Sequence, residues 1–298
     1  MELTLFVGDY AYSSWSLRGF LLLDAFGIKF QTRHAHMNTP EFEALKAEMA
    51  PSKLVPALLI KSPDHKDVMV WDSLAMAETL AELFPKFGHW PEDPAQRATA
   101  RSIAAEMHSG FTALRGACPM NMRRAYAGFQ PSDAVMSDLA RLSEIWAHAR
   151  SFSGAGPFLF GDFSVVDAFF APVASRIATY GLPVDGEDGA YVAALLNRPS
   201  VRRWRSMGMA DGHLQQHYEF DLPSRPNPHE PAVTGEVIPG LASENANCPN
   251  SGKPIEPDCV IRVGERTVGY CNPFCAAKSA ADPFAWAPTR ALLDAKRP

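Results

Sequence analysis

Three hydroxyls in four residues, Ser13, Ser14 and Ser16, stand between an apolar run at 3–7 and a helix-patterned run at 17–26. A helix start offers unpaired backbone N–H groups and the positive end of the helix dipole, so hydroxyls placed there can hold a thiolate or another anion. The same cluster also reads as a plain N-cap. Further on, Lys53-Leu54-Val55-Pro56 leads into an apolar strand pattern at 57–60. A proline suits the first residue of a strand; held cis it would present the Val55 backbone to a ligand, and held trans it is an ordinary turn. Trp71-Asp72-Ser73 opens a helical pattern that runs to 84, with Ser73 in the capping position. A helix N-terminus receives a carboxylate and the Asp72 side chain an ammonium, so this turn fits a ligand carrying both groups on one carbon.

Stabilising a thiolate is within reach of the serine turn. A thiol of pKa about 8.5 must fall to about 7 to be half ionised at neutrality, roughly 2 kcal/mol. One charge-assisted hydrogen bond of ~1.5–3 kcal/mol, with a helix-end contribution of ~0.3–1 kcal/mol, covers that amount. Tyr10 and Tyr12 are alternative hydroxyl donors, Tyr12 the stronger of the two. The turn holds no cysteine, which disfavours disulfide exchange through a protein thiolate. Cys118, far along the chain, reads as a buried structural thiol.

These groups need a frame. Strands are expected at 3–7, 30–36, 57–60 and 68–70, with helices at 17–26, 41–47 and 73–84, in the order βαβ then ββα. After a proline-punctuated link at 85–94, Ala100, Ile103, Ala104, Met107, Phe111 and Leu114 share one helical face. Val135, Leu139, Leu142, Trp146 and Ala149 share another. Ser164 and Asp167 have capping-box spacing ahead of a run at 168–180 that is apolar around most of its circumference, as in a central helix, so their role is structural. The pattern is an α/β domain followed by a helical bundle. His108, with Met107, Met120 and Met122, falls where the two would meet, as either a satisfied structural histidine or a functional one; Arg123 and Arg124 are either a solvated pair or an attraction for acidic substrates.

A chain of 298 residues with 47% hydrophobic content has room for two cored domains and a small third. A net charge of −5 without basic runs speaks against nucleic acid as a partner. Neither a leader nor a membrane span is legible, so no membrane partner and a cytoplasmic location are expected.

With these motifs, the first 218 residues resemble a cytosolic glutathione S-transferase of the zeta-like branch, whose signature is a serine-rich strand-to-helix turn. The segment 158–168, with Ser164 and Asp167, matches the buried-helix start of that family's second domain. The resemblance implies a thioredoxin-like domain at 1–84, an all-helical domain at 92–218 and a homodimer. It implies glutathione as cosubstrate, held by Ser13, Ser16, Lys53, the Val55 backbone, Pro56, Asp72 and Ser73, with Ser13 keeping the sulfur ionised for attack on a small electrophile and Ser14 beside it. Glutathione-dependent isomerisation of the maleylacetoacetate type and a non-catalytic glutathione- or partner-binding module are the alternatives. Trp15 stands where the isomerases carry a cysteine, and Leu54 replaces a polar residue beside Pro56.

Beyond Tyr218 the composition changes: twelve of the 25 prolines lie there, five of them between 223 and 239, marking a linker expected at 219–246. The remainder, 247–298, carries four of the five cysteines around a possible hairpin at 260–270. It resembles small YHS-type metal-binding modules through Cys248, Cys271 and Cys275, with Ser251 where a further cysteine would stand and Cys259 available to complete a zinc set. A metal-free module of the same shape is the alternative, and a partner-binding role is open to either.

Overall fold

A computed structural model describes residues 1–63, 65–152 and 155–295, which form two compact units. The first comprises 1–198 and 215–228. It begins with β1 (Glu2–Val7), α1 (Ser14–Asp24), β2 (Gln31–His34), α2 (Pro40–Glu48), β3 (Ala57–Ser62), β4 (His65–Trp71) and α3 (Ser73–Leu83). The sheet order is β2-β1-β3-β4, with β1 parallel to β2 and antiparallel to β3. This is the thioredoxin-like arrangement. Leu5 and Val7 of the central β1 are fully buried, whereas the edge strand β2 pairs over only four residues, shorter than its sequence pattern. Every residue from Ser16 to Leu23 in α1 is buried, because the helix also packs against a helix of the second half. A Cβ on Gly19 would come 2.6 Å from Pro56 Cβ, so glycine lets α1 lie against that proline.

Helices α4 (Pro94–Ser109), α5 (Thr112–Ala117), α6 (Asp133–Arg150), α7 (Val165–Tyr180) and α8 (Gly186–Asn197) complete this unit. The apolar face expected to run unbroken from Ala100 to Leu114 is divided between α4 and α5, since Gly110 ends the first helix and Phe111 takes φ 55°. Its side chains are buried all the same. Helix α7 is buried almost throughout. At its start Asp167 accepts from Ser164 N–H (2.8 Å), Ser164 Oγ (3.1 Å), Leu159 N–H (3.3 Å) and Tyr191 OH (2.9 Å), which supplies the buried cap with partners. Segment 215–228 ties down onto the same unit: Gln215 donates to Met37 O at 2.8 Å, Asn121 to Tyr218 O at 3.2 Å and Arg225 to Tyr126 O at 2.9 Å.

The second unit is 199–214 with 229–298. It holds α9 (Pro199–Asp211), the strands β5 (Glu236–Val237), β6 (Val260–Val263) and β7 (Arg266–Gly269), and helices α10 (Pro273–Ala281) and α11 (Ala287–Asp294). The hairpin β6–β7 forms as its sequence indicates, turning at Gly264 with φ 58°, and β5 adds a third strand from the proline-rich stretch. Helix α9, grouped by sequence with the helical domain, is bound into this unit: Arg202 pairs with buried Asp282 at 2.7 Å and 2.9 Å, and Arg203 donates to Ala285 O at 2.9 Å. Among the described residues no helix is long and apolar enough to cross a membrane.

Candidate active site

The cleft of the first unit has a volume of about 530 Å³ and lies between the N-termini of α1 and α3. Ser13, Lys53, Val55, Pro56, Asp72 and Ser73 all line it. Sequence places these residues on three separate segments, and the fold brings them together because β1, β3 and α3 are adjacent. The Val55–Pro56 peptide is cis.

Ser13 is the N-cap of α1. Its Oγ accepts from Ser16 N–H at 3.2 Å and donates to Ser16 Oγ at 2.8 Å, and Ser16 Oγ also accepts from Gly8 N–H at 3.0 Å. Ser16 is fully buried and stands behind Ser13 rather than on the cleft wall. Ser14 faces elsewhere, 3.5 Å from Arg176 Nη2. At the other helix Asp72, with φ 71°, caps α3 by accepting from Leu74 N–H at 2.8 Å. Its second oxygen lies 3.1 Å from His108 Nε2. Ser73 is wholly buried and its hydroxyl has no hydrogen-bond partner among the described residues, an arrangement that costs about 1–3 kcal/mol unless something fills it.

Around Trp15, which also lines the cleft, stand two guanidinium groups: Arg18 lies 4.5 Å and Arg115 5.1 Å from the ring centroid. Arg18 is buried, and neither its Nε nor its Nη1 has a hydrogen-bond partner among the described residues. Burial, then repulsion from Arg176 and Arg115, lowers its pKa to about 9, so it stays charged at neutrality. Arg176, buried behind Ser14, is lowered to about 10, chiefly by burial. The serine turn therefore sits in positive potential from both the helix end and the buried guanidinium groups of Arg18 and Arg176.

Sequence reading missed Met37 and Asn38, which also wall the cleft. Their loop is anchored by buried Asp9, whose Oδ2 accepts from Met37 N–H at 2.9 Å and whose Oδ1 is 3.2 Å from His36 Nδ1. The available signal was Thr39-Pro40, a cap followed by a first-turn proline that fixes where this loop ends. Arg18 was also missed, since an arginine in an amphipathic run gives no sign of burial.

Residues 12–83 match the model of the family described as glutathione S-transferase, N-terminal domain. Over those residues the chain is similar to a glutathione S-transferase N-terminal domain. Solved glutathione transferases share the fold. A homologue from Burkholderia GL BGR1, solved with bound glutathione, is 24% identical over 68% of this chain and 96% of its own, with TM-score 0.50. The Omega 3C transferase of Trametes versicolor is 22% identical over 69% and 88%, with TM-score 0.52. The Tau class transferase from mango, Mangifera indica, is 18% identical over 68% and 92%, with TM-score 0.51. At these identities the likeness is one of fold.

In the second unit, the sulfurs of Cys248, Cys271 and Cys275 lie within 4.8 Å of one another. Cys259 does not join them among the described residues; it is buried at the start of β6 in the unit's core, and burial raises its pKa. Ser251 Oγ is 3.1 Å from Cys271 Sγ. Burial opposes ionisation of Cys248, but bonds from Ser251 and from the N–H groups of Cys271, Asn250 and Ser251 hold it below the usual thiol range. Cys118 is buried and pushed up to about 12 by that burial, an inert thiol.

Proposed function

We propose that this protein is a glutathione transferase that uses a serine hydroxyl to hold the glutathione sulfur as thiolate. The observation that carries the reading is Ser73, a buried hydroxyl left without a partner at a helix N-terminus, beside a carboxylate and on the wall of a cleft that also holds Ser13. The γ-glutamyl end of glutathione supplies what the turn lacks: its carboxylate accepts from Ser73 and the first N–H groups of α3, and its ammonium meets Asp72. The Val55 backbone and Lys53 receive the rest of the tripeptide. The sulfur then lies over Ser13.

Ser13 donates to Ser16 in the free protein, and reversing that bond needs only hydrogens to turn. Ser16, accepting from Gly8 N–H, donates to Ser13, and Ser13 donates to the thiolate, so three bonds polarise in one direction. The ionised sulfur attacks an electrophilic carbon, forming the C–S bond as the leaving group departs with its electron pair. Trp15, where maleylacetoacetate isomerases carry a cysteine, favours transfer over isomerisation. A cytoplasmic homodimer completes this reading by family resemblance. Glutathione calorimetry on wild type and Ser73→Ala, with thiolate absorbance followed against pH in the same samples, tests it. Weaker binding by the variant and an ionised sulfur near neutrality in wild type are expected; no binding by wild type sinks the reading.

A second reading concerns the other unit, where Cys248, Cys271 and Cys275 would hold a zinc or other thiophilic ion. The donor set fits three-thiolate coordination, with Ser251 or an exogenous group in a fourth position. Such an ion would pin the N-terminus of α10 to the Cys248 loop. Protein purified without chelator should carry one equivalent of metal and lose thermal stability on chelation; metal-free protein of equal stability rejects this reading.

A further inference from the structure

One contact reaches the proposed ammonium site from behind, and its meaning rests on the glutathione reading of Asp72. His108, on α4, places Nε2 3.1 Å from Asp72 Oδ2, while Asp72 Oδ1 is occupied by Leu74 N–H. The imidazole packs edge-on to Trp15 at 5.0 Å and against Phe169 at 6.1 Å, and its Nδ1 is buried with no partner among the described residues. The charged groups acting on it include Asp72 from the turn before α3, Arg18 from α1 and Arg115 from α5, and α7 packs the Phe169 ring against it. Burial lowers its pKa, Asp72 opposes, and the two guanidinium groups add to the lowering. A proton on Nδ1 would leave an unsolvated N–H⁺ in an apolar wall beside two cations. The ring is therefore neutral at pH 7, with Nε2–H as the donor.

We propose that His108 is a positioning residue for ligand recognition: a neutral donor that fixes the Asp72 carboxylate while leaving its whole negative charge for the α-ammonium of an amino-acid-type ligand. A lysine in this place would bond the same oxygen but neutralise it, and so compete with the ligand. Protonated His108 acts like that lysine. Affinity for the ammonium-bearing ligand consequently falls as pH drops through the lowered histidine pKa, and by reciprocity the bound ammonium pushes that pKa lower still.

The test is titration calorimetry of the full-length protein from about pH 5 to about pH 8, with glutathione and with its deaminated analogue, which lacks only the α-ammonium. Wild type should lose about tenfold in glutathione affinity on acidification and show no such acid limb with the analogue. His108→Gln, whose amide N–H reaches the same oxygen without titrating, should keep neutral-pH affinity within about twofold and lose the acid limb. His108→Lys should bind glutathione about tenfold more weakly at neutral pH and the analogue unchanged. An acid limb that persists in His108→Gln, or one of equal size for both ligands in wild type, overturns the role of His108 while the glutathione reading stands. Failure of wild type to bind glutathione at all overturns both.

Discussion

Two helices present their N-termini to the cleft, and they leave their hydroxyls in opposite states. At α1 the hydroxyls are satisfied within the chain: Ser13 and Ser16 bond each other at 2.8 Å, and Ser16 also takes Gly8 N–H. At α3, Asp72 does the capping and the buried Ser73 hydroxyl is left over. A cap contributes about 1 kcal/mol to folding, whereas an unpaired buried hydroxyl costs a similar amount. The α1 turn therefore serves stability in the free protein and can be recruited to chemistry by turning hydrogens alone. The α3 turn gives up stability in the free protein, and a ligand restores it.

The largest effect that would sharpen this contrast is on rate. Ser13→Ala removes the one hydroxyl donor of α1 that lines the cleft, and loss of such a donor to a developing or standing anion typically costs about 10²-fold or more. Conjugation with a chromogenic electrophile should fall by roughly that factor, and the pKa of the bound thiol should rise toward its free value of about 8.5. Glutathione affinity should hold within a few-fold. An unchanged rate would shift the role to Ser14, which has Arg176 beside it, or to Tyr12.

The next effect compares stability at the two turns. Ser13→Ala deletes a cap and should lower unfolding free energy by about 1 kcal/mol. Ser73→Ala deletes a hydroxyl that bonds nothing in the free protein, so stability should stay level or rise by up to about 1 kcal/mol, while glutathione binding weakens about tenfold. Urea midpoints measured without ligand separate the two. If Ser73→Ala destabilises as much as Ser13→Ala, the hydroxyl has a partner in solution and the contrast between the turns collapses.

How far these features were legible depended on whether the signal was local. The strand pattern at 57–60, the cap at Ser13 and the buried stripe of α6 are set by neighbours in sequence and emerge nearly in place, whereas the cap of α3 is Asp72, one residue before the Ser73 that the sequence pattern indicates. Local rules end where packing decides. The helix expected through Phe111 divides at Gly110, because a left-handed Phe111 starts a second helix that still buries the same side chains. The allegiance of α9 turns on Arg202 meeting Asp282, eighty positions away, which no periodicity encodes. Cys248, Cys271 and Cys275 were legible as a set by resemblance, but only packing reveals that Cys259 serves the core of its unit instead. In the cleft, the cap residues declared themselves, whereas His108 and Arg18 acquire meaning only from what lies across from them.

The smallest expected effect concerns the remaining hydroxyl near the turn. Tyr12 donates to Glu219 Oε1 at 3.1 Å, and the same carboxylate accepts from Arg124 at 2.7 Å and Asn121 at 3.1 Å. Burial, reinforced by Glu219, pushes the phenol up to about 12, so it is a weaker acid than an ordinary tyrosine and its proton is already held by a carboxylate. It does not line the cleft. Tyr12→Phe should therefore keep the conjugation rate and the bound-thiol pKa within about twofold of wild type, with a stability loss of about 1 kcal/mol from the broken bond to Glu219. Glu219 remains paired with Arg124, which keeps that loss small. A hundredfold fall in rate with Ser13 intact would instead mean that the phenol turns from Glu219 to the sulfur when glutathione binds, and the self-satisfied α1 turn would then be a cap and nothing more.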